Sequence, residues 1–269
     1  MPKVIGLGAA GSRWVGAATD GSVWSMEGSA GNPLDATSAI EAFLTGVLTP
    51  GDRLNLSLAQ LSRPVRGTGA VWCCLGNAVG DTTDGGVFSD RDHQSPLDAF
   101  LRASSSVSGP ADGVVIPEDG AGGLRRVRHE LEVALLLAGP PPIDDPLSAV
   151  AACTLGLDLA ASGSEDRSFR KSFPTLCPLG PLLIPWPGLQ QLASAEWTLR
   201  VNGETRQQTG LTDLRRGPAE VVRLLHQSVG LGRGDLVLLG APAGGGFLQR
   251  GDSVLASWDL GPELQLSVR

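Results

Sequence analysis

The stretch "RHELEVALLLAGPP", Arg128 to Pro141, decides the fold, because it can be read with either of two periods. In a strand, alternate side chains share a face, so Glu130 and Glu132 converge while Leu131, Val133, Leu135 and Leu137 fill the other side. In a helix, residues two apart diverge by roughly 200° and the pair has no common target. Intrinsic propensity favours the helix, since Leu, Glu and Ala dominate and Gly139-Pro140 would end it. The strand instead sets two like charges side by side, an arrangement that a hard divalent cation such as Mg²⁺ or Mn²⁺ would offset. A zinc-protease helix is excluded, because Val133 stands where H-E-x-x-H needs its second histidine.

Working outward, "AVAACTLGLDLAAS" alternates so that Leu155, Leu157 and Leu159 share one face, with Thr154, Gly156, Asp158 and Ala160 on the other. Asp158 therefore sits among small residues, either holding a ligand or capping a strand end. Upstream, "GAVWCCLGN" predicts a strand, "AVGDTTDGGVFSDRDHQS" a polar loop, "PLDAFLRASS" a short helix and "DGVVIPEDG" a strand running into a turn. Near the N-terminus, "GLGAAG" fits the dinucleotide fingerprint G-x-G-x-x-G. The segment after it, "SRWVGAATDGSVWSME", reads better as two strands around an Asp20-Gly21 turn than as a crossover helix. A helix is expected from Ala36 to Gly46, and "SRPVRGTG" marks a boundary between a small N-terminal domain, 1–68, and a main body, 69–269.

A chain of 269 residues with 42% hydrophobic content can bury a large core. Its net charge of −7 argues against nucleic-acid binding, which depends on neutralising phosphates, and its arginines form only short clusters such as Arg125, Arg126 and Arg128. Four cysteines without a C-x-x-C pair point to a reducing, cytoplasmic setting. The apolar runs are too short for a membrane span. Only Lys3 and Lys171 are lysines, so Lys171 suggests a site that needs a compact ammonium.

In order and spacing, "HELEVALLLAG", "AVAACTLGLDLAAS", "KSFPTLCPLGPLLIP", "VNGETRQ" and "GDLVLLGAPAGGG" resemble the fumarylacetoacetate hydrolase family, strongly from about Pro96 onward. The resemblance implies an α+β, mainly β fold, a mixed β-roll core with a small β-rich N-terminal domain. It turns the Glu130 segment into a strand and makes Glu130, Glu132 and Asp158 the ligands of Mg²⁺ or Mn²⁺. It also implies a homodimer acting on a small 2-oxo or 1,3-dicarbonyl acid by C–C hydrolysis, decarboxylation or tautomerisation through an enolate. Lys171 would then face the substrate, with Ala241 and Gly244 of the glycine-rich loop beside it.

Some residues depart from the family pattern. For the family's N-Y-x-x-H-x-x-E lid motif the counterpart is "NAVGDTTD", with Asn77 kept, Ala78 for Tyr, Asp81 for His and Asp84 for Glu. Ser162 replaces a frequent Arg, and Ala241 a usual Thr. A base would have to come from Asp81, Asp84 or His93. His129 and His226 read as a strand neighbour and a helix residue. The alternative to an enzyme is a non-catalytic member that keeps the metal and binds a ligand or partner.

Overall fold

The computed structural model describes residues 3–28, 33, 35–65, 67–78, 97–241 and 244–269. The chain begins with strands β1 (Val4–Ala10), β2 (Arg13–Ala18) and β3 (Val23–Gly28), then helix α1 (Ala36–Leu44) and β4 (Leu48–Leu54), the four strands forming one antiparallel sheet in that order. Asp35 caps α1 by accepting a hydrogen bond from Ser38 N at 2.8 Å. The Asp20-Gly21 turn lies between β2 and β3 as expected, and a hairpin, not a helix, follows "GLGAAG". Gly6 and Gly8 serve backbone approach, and Gly11, at φ +58°, serves the turn into β2. A Cβ on Gly6 would lie 2.6 Å from Leu183 O, while Leu7 N donates to that same carbonyl at 2.9 Å.

The body continues through β5 (Val71–Leu75), β6 (Asp98–Arg102), β7 (Val107–Ser108), β8 (Val127–Arg128), β9 (Leu131–Leu137), β10 (Val150–Leu157) and β11 (Ala160–Ala161). Helix α2 (Arg167–Lys171), β12 (Cys177–Pro178), β13 (Ile184–Pro185), α3 (Leu189–Ser194), β14 (Glu196–Val201), β15 (Glu204–Gly210) and α4 (Pro218–Val229) follow. Strands β16 (Leu236–Leu238), β17 (Phe247–Leu248), β18 (Ser253–Trp258) and β19 (Gly261–Ser267) complete the chain. A six-stranded mixed sheet, β13-β10-β9-β16-β5-β6, forms its centre, and β16 runs parallel to β5 but antiparallel to β9. The outer sheet is β15-β14-β18-β19, and β8 pairs between β11 and β17. The architecture is α+β and mainly β, as the resemblance implied.

The Glu130 segment is a strand because both of its faces are covered. Leu131, Val133, Leu135 and Leu137 pack in one apolar cluster, and Ala134 and Leu136 in a second on the opposite face. A strand buried on both sides reads as a continuous apolar run, which is why its composition imitates a helix. The expected helix in "PLDAFLRASS" is corrected to β6, whose Arg102 pairs across from Val71. There Leu101 is 45% exposed while Arg102 is 2% exposed, the alternation of an edge strand. The "DGVVIPEDG" strand is reduced to two isolated bridges, Val114 with Val268 and Glu118 with Leu124. All four cysteines are buried free thiols, and no helix among the described residues is long and apolar enough to cross a membrane.

Candidate metal centre

Antiparallel register brings the three carboxylates together. Glu132 lies opposite Gly156 and Leu131 opposite Leu157 in the β9–β10 ladder, and Arg128 lies opposite Ala160 in the β8–β11 ladder. Asp158 N donates to Glu130 O at 2.8 Å, so the register carries through the gap and Glu130 stands across from Asp158. Carboxylate oxygens of Glu130, Glu132 and Asp158 fall within 4.8 Å of one another. Glu132 and Asp158 are each 1% exposed, and Glu130 is half-buried.

Two buried cations answer this charge. Lys171, at the end of α2, donates from Nζ to Glu130 Oε2 at 2.8 Å and to Asp158 Oδ2. Arg102, from β6, donates from Nη1 to Asp158 Oδ1 at 2.6 Å, from Nη2 to Leu159 O at 3.0 Å, and from Nε to Lys171 O at 3.0 Å. One guanidinium thus ties the metal-strand end to the backbone of α2. Burial, the largest single influence, opposes the charge of both side chains, but the acidic groups around them, Asp158 foremost and joined by Glu130 at Lys171 and Glu132 at Arg102, together hold each above its ordinary value. Arg102 was not singled out from sequence. Its only signal is the Asp98, Phe100, Arg102 alternation, visible once that segment is read as a strand.

Glu132 is treated differently. It accepts from Gly240 N at 2.7 Å, and among the described residues no lysine or arginine forms an ion pair with it. Burial, then repulsion from Asp158, pushes its carboxyl well above the usual range. Gly240, at φ +105°, delivers that amide from the start of the glycine-rich loop. Asn77 supports the loop from below, donating to Leu239 O at 2.7 Å and Arg216 O at 3.0 Å and accepting from Arg216 N at 3.0 Å. The kept Asn77 therefore has a structural use.

Of the remaining expected residues, Ala241 is buried beside Gly240, and Gly244, at φ +99°, sits where a Cβ would come within 2.4 Å of Arg206 O. His129 is buried, its Nδ1 lies 3.3 Å from Gln207 Oε1, and burial lowers its pKa. That Gln207 oxygen also accepts from Leu131 N at 3.0 Å, so this pair props the glutamate strand. His226 lies on α4 as expected. Asp81, Asp84 and His93 lie outside the described residues.

The donor set fits a hard divalent cation. It is made wholly of carboxylate oxygens, and of its two fully buried members, Glu132 is the one that no side-chain cation pairs with among the described residues. A buried carboxylate so placed requires either a proton or a cation.

Comparisons with known proteins give the family. Residues 70–268 match the fumarylacetoacetate (FAA) hydrolase C-terminal model. The chain is 29% identical over 242 residues to maleylpyruvate hydrolase of Aquipseudomonas alcaligenes, covering 86% of this chain and 83% of that protein. It is also 29% identical over 170 residues to the mitochondrial oxaloacetate tautomerase Fahd2a of Rattus norvegicus, covering 58% of this chain but only 53% of that longer protein. Among solved structures, maleylpyruvate hydrolase of Sphingobium sp. SYK-6 in complex with manganese(II) ion and pyruvate superposes with a TM-score of 0.72 at 24% identity, covering 98% of each chain. With the matched model spanning the whole body, the chain belongs to the fumarylacetoacetate hydrolase family of enzymes.

Proposed function

We propose that the chain is a divalent-metal-dependent enzyme that acts on a small 2-oxo or 1,3-dicarbonyl acid through an enolate. The observation that carries this reading is the convergence of Glu130, Glu132 and Asp158 within 4.8 Å, two of them fully buried. These three side chains would hold Mg²⁺ or Mn²⁺. When bound, such a cation supplies Lewis-acid polarisation of a keto oxygen and stabilises developing negative charge. Similarity to a maleylpyruvate hydrolase supports C–C cleavage, and similarity to an oxaloacetate tautomerase supports keto–enol exchange. A homodimer in the cytoplasm belongs to the same proposal, by analogy with the family.

The chain's own residues divide the remaining work. Lys171 offsets repulsion between Glu130 and Asp158 and supplies a fixed positive charge within the buried site. Arg102 keeps Asp158 and the Lys171 backbone in one register. Gly240 N holds the Glu132 carboxylate in place. His129, buried beside Gln207, props the glutamate strand. Cleavage needs a water-activating base, for which Asp81, Asp84 and His93 are the candidates; enolisation depends less on one. General-base catalysis is worth about 10²- to 10⁴-fold, and a carboxylate of ordinary basicity in the histidine's place sacrifices much of it. Keto–enol exchange of oxaloacetate should therefore outpace acylpyruvate cleavage.

The test follows enol absorbance and pyruvate release for oxaloacetate and acetylpyruvate, with Mn²⁺ and after chelation. Turnover should vanish on chelation and in Glu132→Ala. Turnover that survives both would overturn the proposal.

A further inference from the structure

The glycine-rich loop leaves the central sheet at the point where the two glutamates stand. Leu238 pairs with Ala134 at the end of β16, and Phe247 pairs with Arg128 in β17. Nine residue steps separate Leu238 from Phe247, but only six separate their partners Ala134 and Arg128, so three residues are in excess on the loop side. The ladder is intact on either side of this excess: Leu239 N donates to Val133 O at 3.1 Å, and His129 N donates to Gly246 O at 2.8 Å. Backbone groups alternate between the two neighbours of a strand, so Leu131, midway between Val133 and His129, turns its N–H towards the loop as they do. There it meets a side chain in place of a backbone carbonyl: Leu131 N donates to Gln207 Oε1 at 3.0 Å.

Gln207 comes from the outer sheet, and a second irregularity aims it. In the β14–β15 ladder Leu199 lies opposite Gln207 but Arg200 opposite Thr205, which leaves Arg206 as an extra residue. A bulge of this kind redirects the side chain beside it, and Gln207 is 2% exposed while Arg206 and Gln208 face solvent. The two irregularities fit each other. Gly244 backs onto the bulge, where a Cβ would lie 2.4 Å from Arg206 O, and Gly246 makes room for the His129 ring, whose Nε2 would lie 3.0 Å from an added Cβ. The Gln207 oxygen is also 3.3 Å from His129 Nδ1, so one carboxamide answers the two residues that flank Glu130.

We infer that Gln207 is a positioning residue for the metal centre: its carboxamide oxygen stands in for a sheet carbonyl and fixes the backbone from which Glu130 and Glu132 project. Without it the buried Leu131 N–H loses its acceptor, and a strand that rotates to find another turns the carboxylates on both sides of Leu131. Groups that orient metal ligands from behind set about 10- to 100-fold in metal affinity. The inference rests on the function proposed above, and its test separates the two.

The experiment joins amide hydrogen exchange of the metal-free protein to calorimetric Mn²⁺ titration in Gln207→Met, Gln207→Glu and Thr209→Val. Met keeps the length and loses the acceptor, so it should speed exchange at Leu131 and weaken Mn²⁺ binding about 10- to 100-fold. Glu returns an acceptor oxygen at the same reach and should recover the protection and most of the affinity. Thr209 is buried on the same face of β15 but bonds locally, to Asp213 Oδ2 at 2.8 Å. Thr209→Val should therefore lower the melting temperature without moving Mn²⁺ affinity. If Gln207→Met does not fold, Gln207→Asn, one carbon shorter, withdraws the oxygen more gently and is read in the same way. Mn²⁺ affinity unchanged on loss of the acceptor, or lost equally in Thr209→Val, overturns the inference and leaves the metal-enzyme reading standing. An unaltered protein that binds no Mn²⁺ overturns that reading and the inference with it.

Discussion

Arg102 and Glu132 occupy the two extremes of charge burial in this protein. Arg102 is buried with donors on Asp158, Leu159 O and Lys171 O, so its charge is answered on every side. Removing Arg102 leaves the buried Asp158 with Lys171 as its one remaining cation and strips donors from Leu159 O and Lys171 O, and breaking a buried pair of this kind costs about 3–5 kcal/mol. Arg102→Met should lower unfolding free energy by that amount in urea titrations, and Arg102→Lys should recover only part of it, because an ammonium cannot reproduce the fork. Glu132 carries the opposite debt. Its folded pKa is raised above the value of 4.5 expected in the unfolded chain, by burial first and Asp158 second. Below that value both states hold the proton. Above it the unfolded chain releases the proton while the folded chain retains it, so the stability of the metal-free protein falls as pH rises, until Glu132 itself ionises. Melting temperatures of chelator-stripped protein should therefore decline with rising pH above about 4.5, and the decline should be shallower in Glu132→Gln. Identical slopes would show that the carboxylate does not titrate as described.

At the scale of elements, glycine placement separates two readings of the N-terminal motif. A Cβ on Gly6 would meet Leu183 O at 2.6 Å, so Gly6→Ala forces β1 away from the 182–184 segment that bonds to it in both directions at Leu7. Overpacking of this kind costs about 1–3 kcal/mol, and the variant should melt lower without any change in nucleotide affinity. The hairpin was legible in sequence because Asp20-Gly21 is a local turn signal and local signals survive folding. The convergence of Glu130 with Glu132 was legible once a strand was assumed, whereas alternation left Asp158 open between a ligand and a strand-end cap, and only the family resemblance joined it to the glutamates. What composition alone could not supply was the strand itself, since a segment covered on both faces loses the alternation that marks it. β6 was misread as a helix for a related reason. Its inward residues, Asp98, Phe100 and Arg102, include two charges, and only the buried Asp158 across the fold explains why an arginine points inward there. Lys171 was legible as an exception in an arginine-rich chain, but its place on α2 depends on a helix of only five residues, too short to leave a periodic trace.

At the scale of the molecule, the two chain segments share their cores. Leu7, Trp14, Met26 and Ile40 pack in one cluster with Val71, Cys73, Ala134 and Leu136, and Arg233 reaches back to Glu41 at 2.8 Å. Separating 69–269 from 1–68 would expose that apolar face to water, so we expect the isolated body to lack a cooperative thermal transition, which circular dichroism would register. Glu132 lies on β9, with Glu130 just before it and Asp158 just after β10, in the middle of this shared structure, and rigid placement helps like charges to stay together. The most direct test of that account is a Mn²⁺ titration of the chelator-stripped protein followed by electron paramagnetic resonance. The account predicts one site, saturating at one Mn²⁺ per chain, lost in Glu132→Ala although that variant melts no lower than the metal-free parent. Binding that persists undiminished in Glu132→Ala, or no site at all in the unaltered protein, would contradict it.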